Sequence, residues 1–167
     1  GANVTMLDIS AKRLAYLDDI FGGRVQTLLS NPFNIAKAVE NADLVVGCVL
    51  IPGAKAPKLV TEEMVKTMKP GSVIVDISID QGGNCAITTP GVRDVKHGVI
   101  LEGIKNIPGM LAESSTFMYA ANMYNLVKYL CKDGKLNLDE SDDIVSGMLT
   151  TKDGKVVHAG ALAAMGG

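Results

Sequence analysis

Near the middle of the 167-residue chain an apolar run, Val73-Ile74-Val75, leads into Asp76, Ser78 and Asp80, and the chain then breaks at Gly82-Gly83. Read as one strand, this stretch places Asp76, Ser78 and Asp80 on one face and Val75, Ile77 and Ile79 on the other. A buried strand that turns polar only at its carboxyl end marks a crevice. Asp80-Gln81-Gly82-Gly83 adds a carboxylate, a carboxamide and two glycines that let a ligand approach the backbone closely. A tight turn after a strand accounts for the same residues equally well.

Asp8 is the second acid of interest, because it ends the first strand-like run, Val4 to Leu7. In a dinucleotide-binding fold an acid at such a strand end accepts hydrogen bonds from ribose hydroxyls and repels a 2′-phosphate. The plainer reading of Asp8 is an acid stabilised by the dipole of the helix that follows. The glycine fingerprint that decides between them belongs about 20 residues upstream of such an acid. The chain starts at Gly1 and enters a strand within a few residues, which reads as a chain entered part-way through.

The elements that must position these acids alternate. "AKRLAYLDDIF" has helical spacing and stops at Gly22-Gly23. Val25 to Leu29 reads as a strand, and "NPFNIAKAVENA" as a helix capped by Asn31 with Pro32 at its first position. The apolar strand "DLVVGCVL" is followed by the loop "IPGAKAPK", by "EEMVKTMK" capped by Thr61, and by the strand "SVIVDISI". Thr88 to Lys96 reads as a polar connection, "GVILEGI" as a strand and "NIPG" as a turn. A long helix runs from about Thr116 to Cys131 and ends at Asp133-Gly134, and a terminal hairpin is expected around Lys152-Asp153-Gly154. Continuous apolar strands alternating with helices indicate a Rossmann-type parallel α/β sheet covered on both faces, with ligands beyond the strands' carboxyl ends. Residues 1–135 read as the dinucleotide-binding domain, incomplete at its N-terminus, and 136–167 as a β tail.

Composition narrows the class. A 47% hydrophobic and 20% charged chain is an ordinary folded domain. A net charge of −2 with scattered lysines argues against nucleic acid, and no apolar run reaches a membrane span. Cys48, Cys85 and Cys131 lie far apart without metal spacing, an odd count that fits a reducing cytoplasm. Cys85 has no basic partner to activate it, and His97 and His158 read as ordinary loop and tail residues. Lys55 and Lys58 read as surface lysines. The acidic run Asp139 to Asp143 lacks the oxygen-ligand spacing and central glycine of a calcium loop. No metal site is expected.

Taken together, "YLDDIFGGRV", "SNPFNIAKAVENADLVVG", "LIPGAKAPKLVTEEMVKTMKPGSVIVDISIDQGG" and "NIPG" closely resemble the NAD-binding domain shared by alanine dehydrogenases and the alpha subunit of proton-translocating NAD(P) transhydrogenase. The resemblance covers nearly the whole chain. "DDIFGGR", "SNPFNI" and "IDQGG" look more like the first, "GGNCAITTPG" and the tail through "GKVVHAG" more like the second. Ala86 and Asn106 replace acids of the transhydrogenases.

The resemblance implies NAD as cofactor, with Asp8 on the adenosine ribose and Ser30, Val49 and Leu50 along the adenine and ribose side. Ile77, Ser78, Ile79 and Asp80, with Asn106 and Ile107, would flank the nicotinamide, and Asp80 would be the catalytic acid closest to substrate. It implies a cytoplasmic homo-oligomer acting on a small molecule (L-alanine and pyruvate) or on a second nucleotide. The family's substrate-gripping Arg and Lys, its catalytic His, its first strand and its glycine loop have no counterpart here. The chain alone is therefore expected not to be a competent catalyst. A non-catalytic interaction module is the remaining alternative.

Overall fold

In a computed structural model, which describes residues 1–51 and 54–166, the chain forms two compact units. One comprises Gly1–Leu50 and Lys55–Lys105, the other Ile51–Ala54 and Asn106–Gly167. Pro52 and Gly53 of the expected Pro-rich loop lie outside the described residues.

The first unit opens with β1 (Thr5–Asp8), α1 (Ala11–Phe21) and β2 (Gln26–Leu29), a βαβ turn whose strands pair in parallel with Asp8 opposite Leu29. Ser10 caps α1 by accepting from Arg13 N–H, and left-handed Gly22 ends it. Next come α2 (Pro32–Asn41), capped by Asn31 through Asn34 N–H at 2.8 Å, and β3 (Leu44–Gly47). Thr61 caps α3 (Glu62–Thr67), and β4 (Val73–Asp76) follows. β5 (Arg93–Lys96) and β6 (Val99–Glu102) complete a four-stranded sheet in the order β3-β4-β6-β5. β3, β4 and β6 run parallel, and β5 is an antiparallel edge.

Register puts Val45, Ile74, Val99 and Leu101 on one face of this sheet. That face buries against Val39 of α2 and Val65 of α3. The opposite face differs from the expectation of a sheet covered twice: Leu44, Val46 and Val95 are all about half exposed or more. Nor is the parallel sheet continuous, since β1–β2 and the four-stranded sheet share no ladder.

Two further expectations are corrected. The strand read through Ile79 stops at Asp76, and Ile77–Gln81 form a 3₁₀ turn. The buried Asp76 carboxylate accepts the N–H groups of Asn84 and Cys85, which pulls the chain back beside the strand end. The polar connection from Thr88 to Lys96 contains β5, paired to β6 through a two-residue turn with His97 and Gly98 both at positive φ. That backbone matches the right-handed twist of the flanking strands.

The second unit contains a short α4 (Ile107–Met110) where a plain turn was expected, then α5 (Ala112–Leu130). Asp133-Gly134, expected only to end the helix, instead turns β7 (Cys131–Lys132) onto β8 (Lys135–Leu136). α6 (Asp143–Met148) lies within the acidic run and beyond. The terminal hairpin is present as β9 (Thr151–Lys152) and β10 (Lys155–Val156) around Asp153-Gly154, and α7 (Ala159–Met165) follows it. Asp142 caps α6 through the N–H groups of Ile144 and Val145 and accepts the Tyr129 hydroxyl of α5, which joins the long helix to the tail.

These contacts hold the Asp142 carboxyl below its usual range, the Tyr129 hydroxyl foremost and the Val145 N–H next. A depressed carboxyl stabilises the fold above its unfolded value and loses that contribution as pH falls through the lowered one. Thermal melts of Asp142→Ala against the parent are expected to show a lower midpoint at neutral pH and a gap that closes in acid. Glycine substitutions test the turn after β4. A Cβ on Gly82 meets nothing within 4 Å, whereas one on Gly83 falls 2.5 Å from Asp76 Oδ2, and both residues have positive φ. In urea unfolding Gly82→Ala should cost roughly 1–2 kcal/mol from backbone strain, and Gly83→Ala roughly 3 kcal/mol or more.

Candidate functional site

Parallel pairing brings the ends of β1 and β2 together. Ser30 N–H donates to the Asp8 carbonyl at 2.9 Å, so the two residues are neighbours on one edge. Asp8 Oδ1 accepts Ser10 N–H at 2.7 Å, which sets the corner between β1 and α1. One carboxylate oxygen thus shapes the turn while the half-buried side chain stays at the strand end. Beside it, Ser10, Lys12, Arg13 and Tyr16 line a shallow pocket of about 280 Å³, with the Arg13 guanidinium 5.0 Å above the Tyr16 ring.

The second edge lies at the carboxyl ends of β3 and β4. Val49 and Leu50 leave β3 exposed at 38% and 53%. The polar residues after Val75 divide instead of sharing a face. Asp76 and Ser78 are buried and Asp80 is exposed, while Ile77 is half exposed and Ile79 buried. The 3₁₀ turn is the cause, because it rotates each side chain by about 120° where a strand alternates them. Ser78 donates its hydroxyl to the Val49 carbonyl at 3.1 Å.

Reasoning from sequence passed over the residue with most bonds on this edge, Asn84. Its side chain donates to the carbonyls of Val49 and Pro57 at 3.0 Å each, and its Oδ1 accepts Val49 N–H at 2.8 Å. Asn84 is 1% exposed. The signal available was a carboxamide directly after two glycines at a strand end. Lys58, read as a surface lysine, donates to the Gly82 and Cys85 carbonyls and braces the same turn. Lys55 is exposed.

Both edges lie at the carboxyl ends of parallel strand pairs. A sequence model of the family described as "Alanine dehydrogenase/PNT, C-terminal domain" matches residues 1–159. The chain belongs to this family. It is 53% identical over 164 residues to an alanine dehydrogenase of Methanococcus maripaludis, covering 95% of this chain and 44% of that protein. It is 48% identical over 171 residues to one of Staphylococcus haemolyticus, covering 99% and 46%. Among solved structures it is similar to an L-alanine dehydrogenase with a TM-score of 0.71 at 35% identity, over 99% of this chain and 47% of that one. A transhydrogenase from Sinorhizobium meliloti gives a TM-score of 0.74 at 30% identity, over 95% and 43%. The chain thus spans less than half the length of these relatives, and its architecture is the Rossmann-like α/β fold of the domain.

Within this domain the remaining expected site residues, Asn106 and Ile107, lie in the second unit. Asn106, at a φ of 54°, caps α4 by accepting Gly109 N–H at 3.2 Å. Both histidines are engaged. His97 lies 2.9 Å from Glu62, and it is the main reason the Glu62 carboxyl sits below its usual range. His158 Nδ1 accepts Ala161 N–H and caps α7. Cys85 is buried, while Cys48 and Cys131 are exposed free thiols. Among the described residues no group of three or more His, Cys, Asp or Glu side chains is placed to hold a metal, and no helix is long and apolar enough to cross a membrane.

Asp76 is the anchor that this geometry tests most directly. Asp76→Ala leaves two N–H groups behind it without acceptors and should cost about 2–4 kcal/mol in urea unfolding. Asp76→Asn keeps the shape but offers one acceptor where two are used, and should fall between Asp76→Ala and the parent.

Proposed function

We propose that this chain is the NAD-binding portion of an oxidoreductase of the alanine dehydrogenase type, which interconverts L-alanine and NAD with pyruvate, ammonia and NADH. The observation that carries the reading is the pair of strand-end edges, one presenting Asp8 beside Ser30 and the other Val49-Leu50 beside Ile77–Asp80, in a chain 53% identical to an alanine dehydrogenase. The residues present fit the cofactor. Asp8 accepts from the adenosine ribose hydroxyls and disfavours a 2′-phosphate, selecting NAD over NADP. Ser30, Val49 and Leu50 take the adenine and ribose side. Ile77 and Asp80 present a wall to the nicotinamide over the buried Ser78 and Ile79, and Asp80 is the acid nearest the substrate. When bound, NAD supplies the hydride acceptor.

The described residues hold the nucleotide better than they perform proton chemistry. Proton transfer needs a positioned base, and both histidines already serve as a partner to Glu62 or as a helix cap. On this reading catalysis draws on residues beyond these 167, in a cytoplasmic homo-oligomer. The S. meliloti structure supports a second reading, the NAD(H)-binding component of a transhydrogenase that passes hydride to a second nucleotide. Alanine-dependent NADH formation by the longer protein that carries this chain supports the first reading. Hydride exchange that requires an NADP-binding component supports the second.

Calorimetric titration of the 167-residue chain with NAD should give micromolar affinity. Asp8→Ala should weaken it by about tenfold or more, as expected for a lost charged hydrogen bond, and should narrow the preference over NADP. Absence of heat at millimolar NAD would sink the reading for this chain.

A further inference from the structure

We propose that Asn84 is the positioning residue of the cofactor edge: its buried carboxamide sets the height and direction of the Val49-Leu50 strand end against which the nucleotide lies. The inference rests on reading this edge as a nucleotide site.

Six hydrogen bonds converge on Asn84, two of them from the N–H groups of Leu59 and Val60 to its carbonyl at 2.8 and 3.0 Å. Its own N–H donates to Asp76 Oδ1 at 2.9 Å, which fixes the residue to the end of β4. Its side chain then reaches across 35 residues of sequence to grip both polar backbone groups of Val49, and across 27 to the Pro57 carbonyl. The Val49 carbonyl also accepts the Ser78 hydroxyl. With one N–H given and two bonds received, the backbone of Val49 is fully used on the inward side. Its side chain, 38% exposed, is what this strand end presents outward. A ligand on this edge therefore meets apolar surface at Val49, held at a fixed height, and finds no backbone hydrogen bond there.

Residue type follows from the bonds. One acceptor and two donors on a two-carbon reach describe Asn alone among the side chains. Asp at position 84 sets an oxygen against the Val49 and Pro57 carbonyls. Gln adds a methylene where the space is already closed, since a Cβ on Gly47 of β3 would lie 3.1 Å from Asn84 Cβ. Gly83 keeps the approach open on the other side, where any Cβ strikes the Asp76 carboxylate.

The test uses the 167-residue chain, with NAD affinity by calorimetry and amide exchange at Val49 read in parallel, all variants at a temperature where each is fully folded. Asn84→Asp and Asn84→Ala are expected to weaken NAD by about tenfold or more, because a displaced contact surface costs affinity out of proportion to the bonds lost. Ile74→Val, a core change away from the edge, controls for stability and should leave affinity unchanged. Equal losses in Ile74→Val and the Asn84 variants would mean a structural role only and overturn the proposal. If the Asn84 variants do not fold, Ser78→Ala decides, because it removes one bond to the same carbonyl. A severalfold weaker affinity supports the proposal, and an unchanged one overturns it. If the parent binds no NAD, the nucleotide reading fails, and Val49 exchange then judges the clamp by itself. Exchange as fast in the parent as in Ser78→Ala and the folded Asn84 variants overturns it, and slow exchange only in the parent upholds it.

Discussion

Asp76 carries a carboxylate into a position that is 1% exposed and meets it with two backbone N–H groups, from Asn84 and Cys85, at 2.9 Å each. A buried carboxylate is costly unless its oxygens are matched by donors. Here the match dictates the backbone, because both donors come from a segment that has to double back to supply them. The 3₁₀ turn, the positive φ of Gly82 and Gly83 and the placement of Asn84 all serve that return. The turn is held from outside as well: Lys58 donates to its carbonyls, and Ala56 N–H donates to the Gln81 carbonyl at 2.8 Å. The edge is thus built by buried polar groups, and its exposed residues, Asp80, Val49, Leu50 and Ile77, ride on this frame.

That division of labour explains what was legible beforehand. Helix ends were, since Asn31 and Thr61 each cap where a short polar residue precedes a helical pattern, and Gly22 stops α1 as its position suggests. The Asp153-Gly154 hairpin was also legible, because Asp-Gly is a strong sign of a turn with two positive-φ residues. The equivalent turn at His97-Gly98 was not, since His-Gly is not among the Asn-Gly, Asp-Gly and Gly-Gly pairs that mark such turns, and β5 was missed with it. Arg93 to Lys96 is a polar edge strand, whose sequence resembles a loop.

Within the site, the edge was legible and the allocation of its side chains was not. Val75 to Asp80 alternates apolar and polar residues as a strand does, and nothing local signals that the period changes after Asp76. The change is enforced by Asn84 and Cys85, eight and nine residues away. Asn84 escaped notice for a related reason. Its partners Val49 and Pro57 are backbone groups far along the chain, and backbone acceptors leave no trace in side-chain patterns.

The sequence separations of these contacts also order them in time. A hairpin such as β5–β6 closes in roughly 1–10 μs, and contacts eight or nine residues apart form on the scale of short loops. The Asn84–Val49 grip spans 35 residues and pairs elements joined by a parallel crossover, the slower kind of connection to close. The Asp76 turn therefore can assemble early as a local unit, whereas the β3 strand end is fixed late and is the first to loosen when stability falls. Native-state hydrogen exchange at Val49 against Asn84 and Cys85 reads this order directly. A protein arranged in this way lets this strand-end edge breathe while the sheet beneath it stays closed.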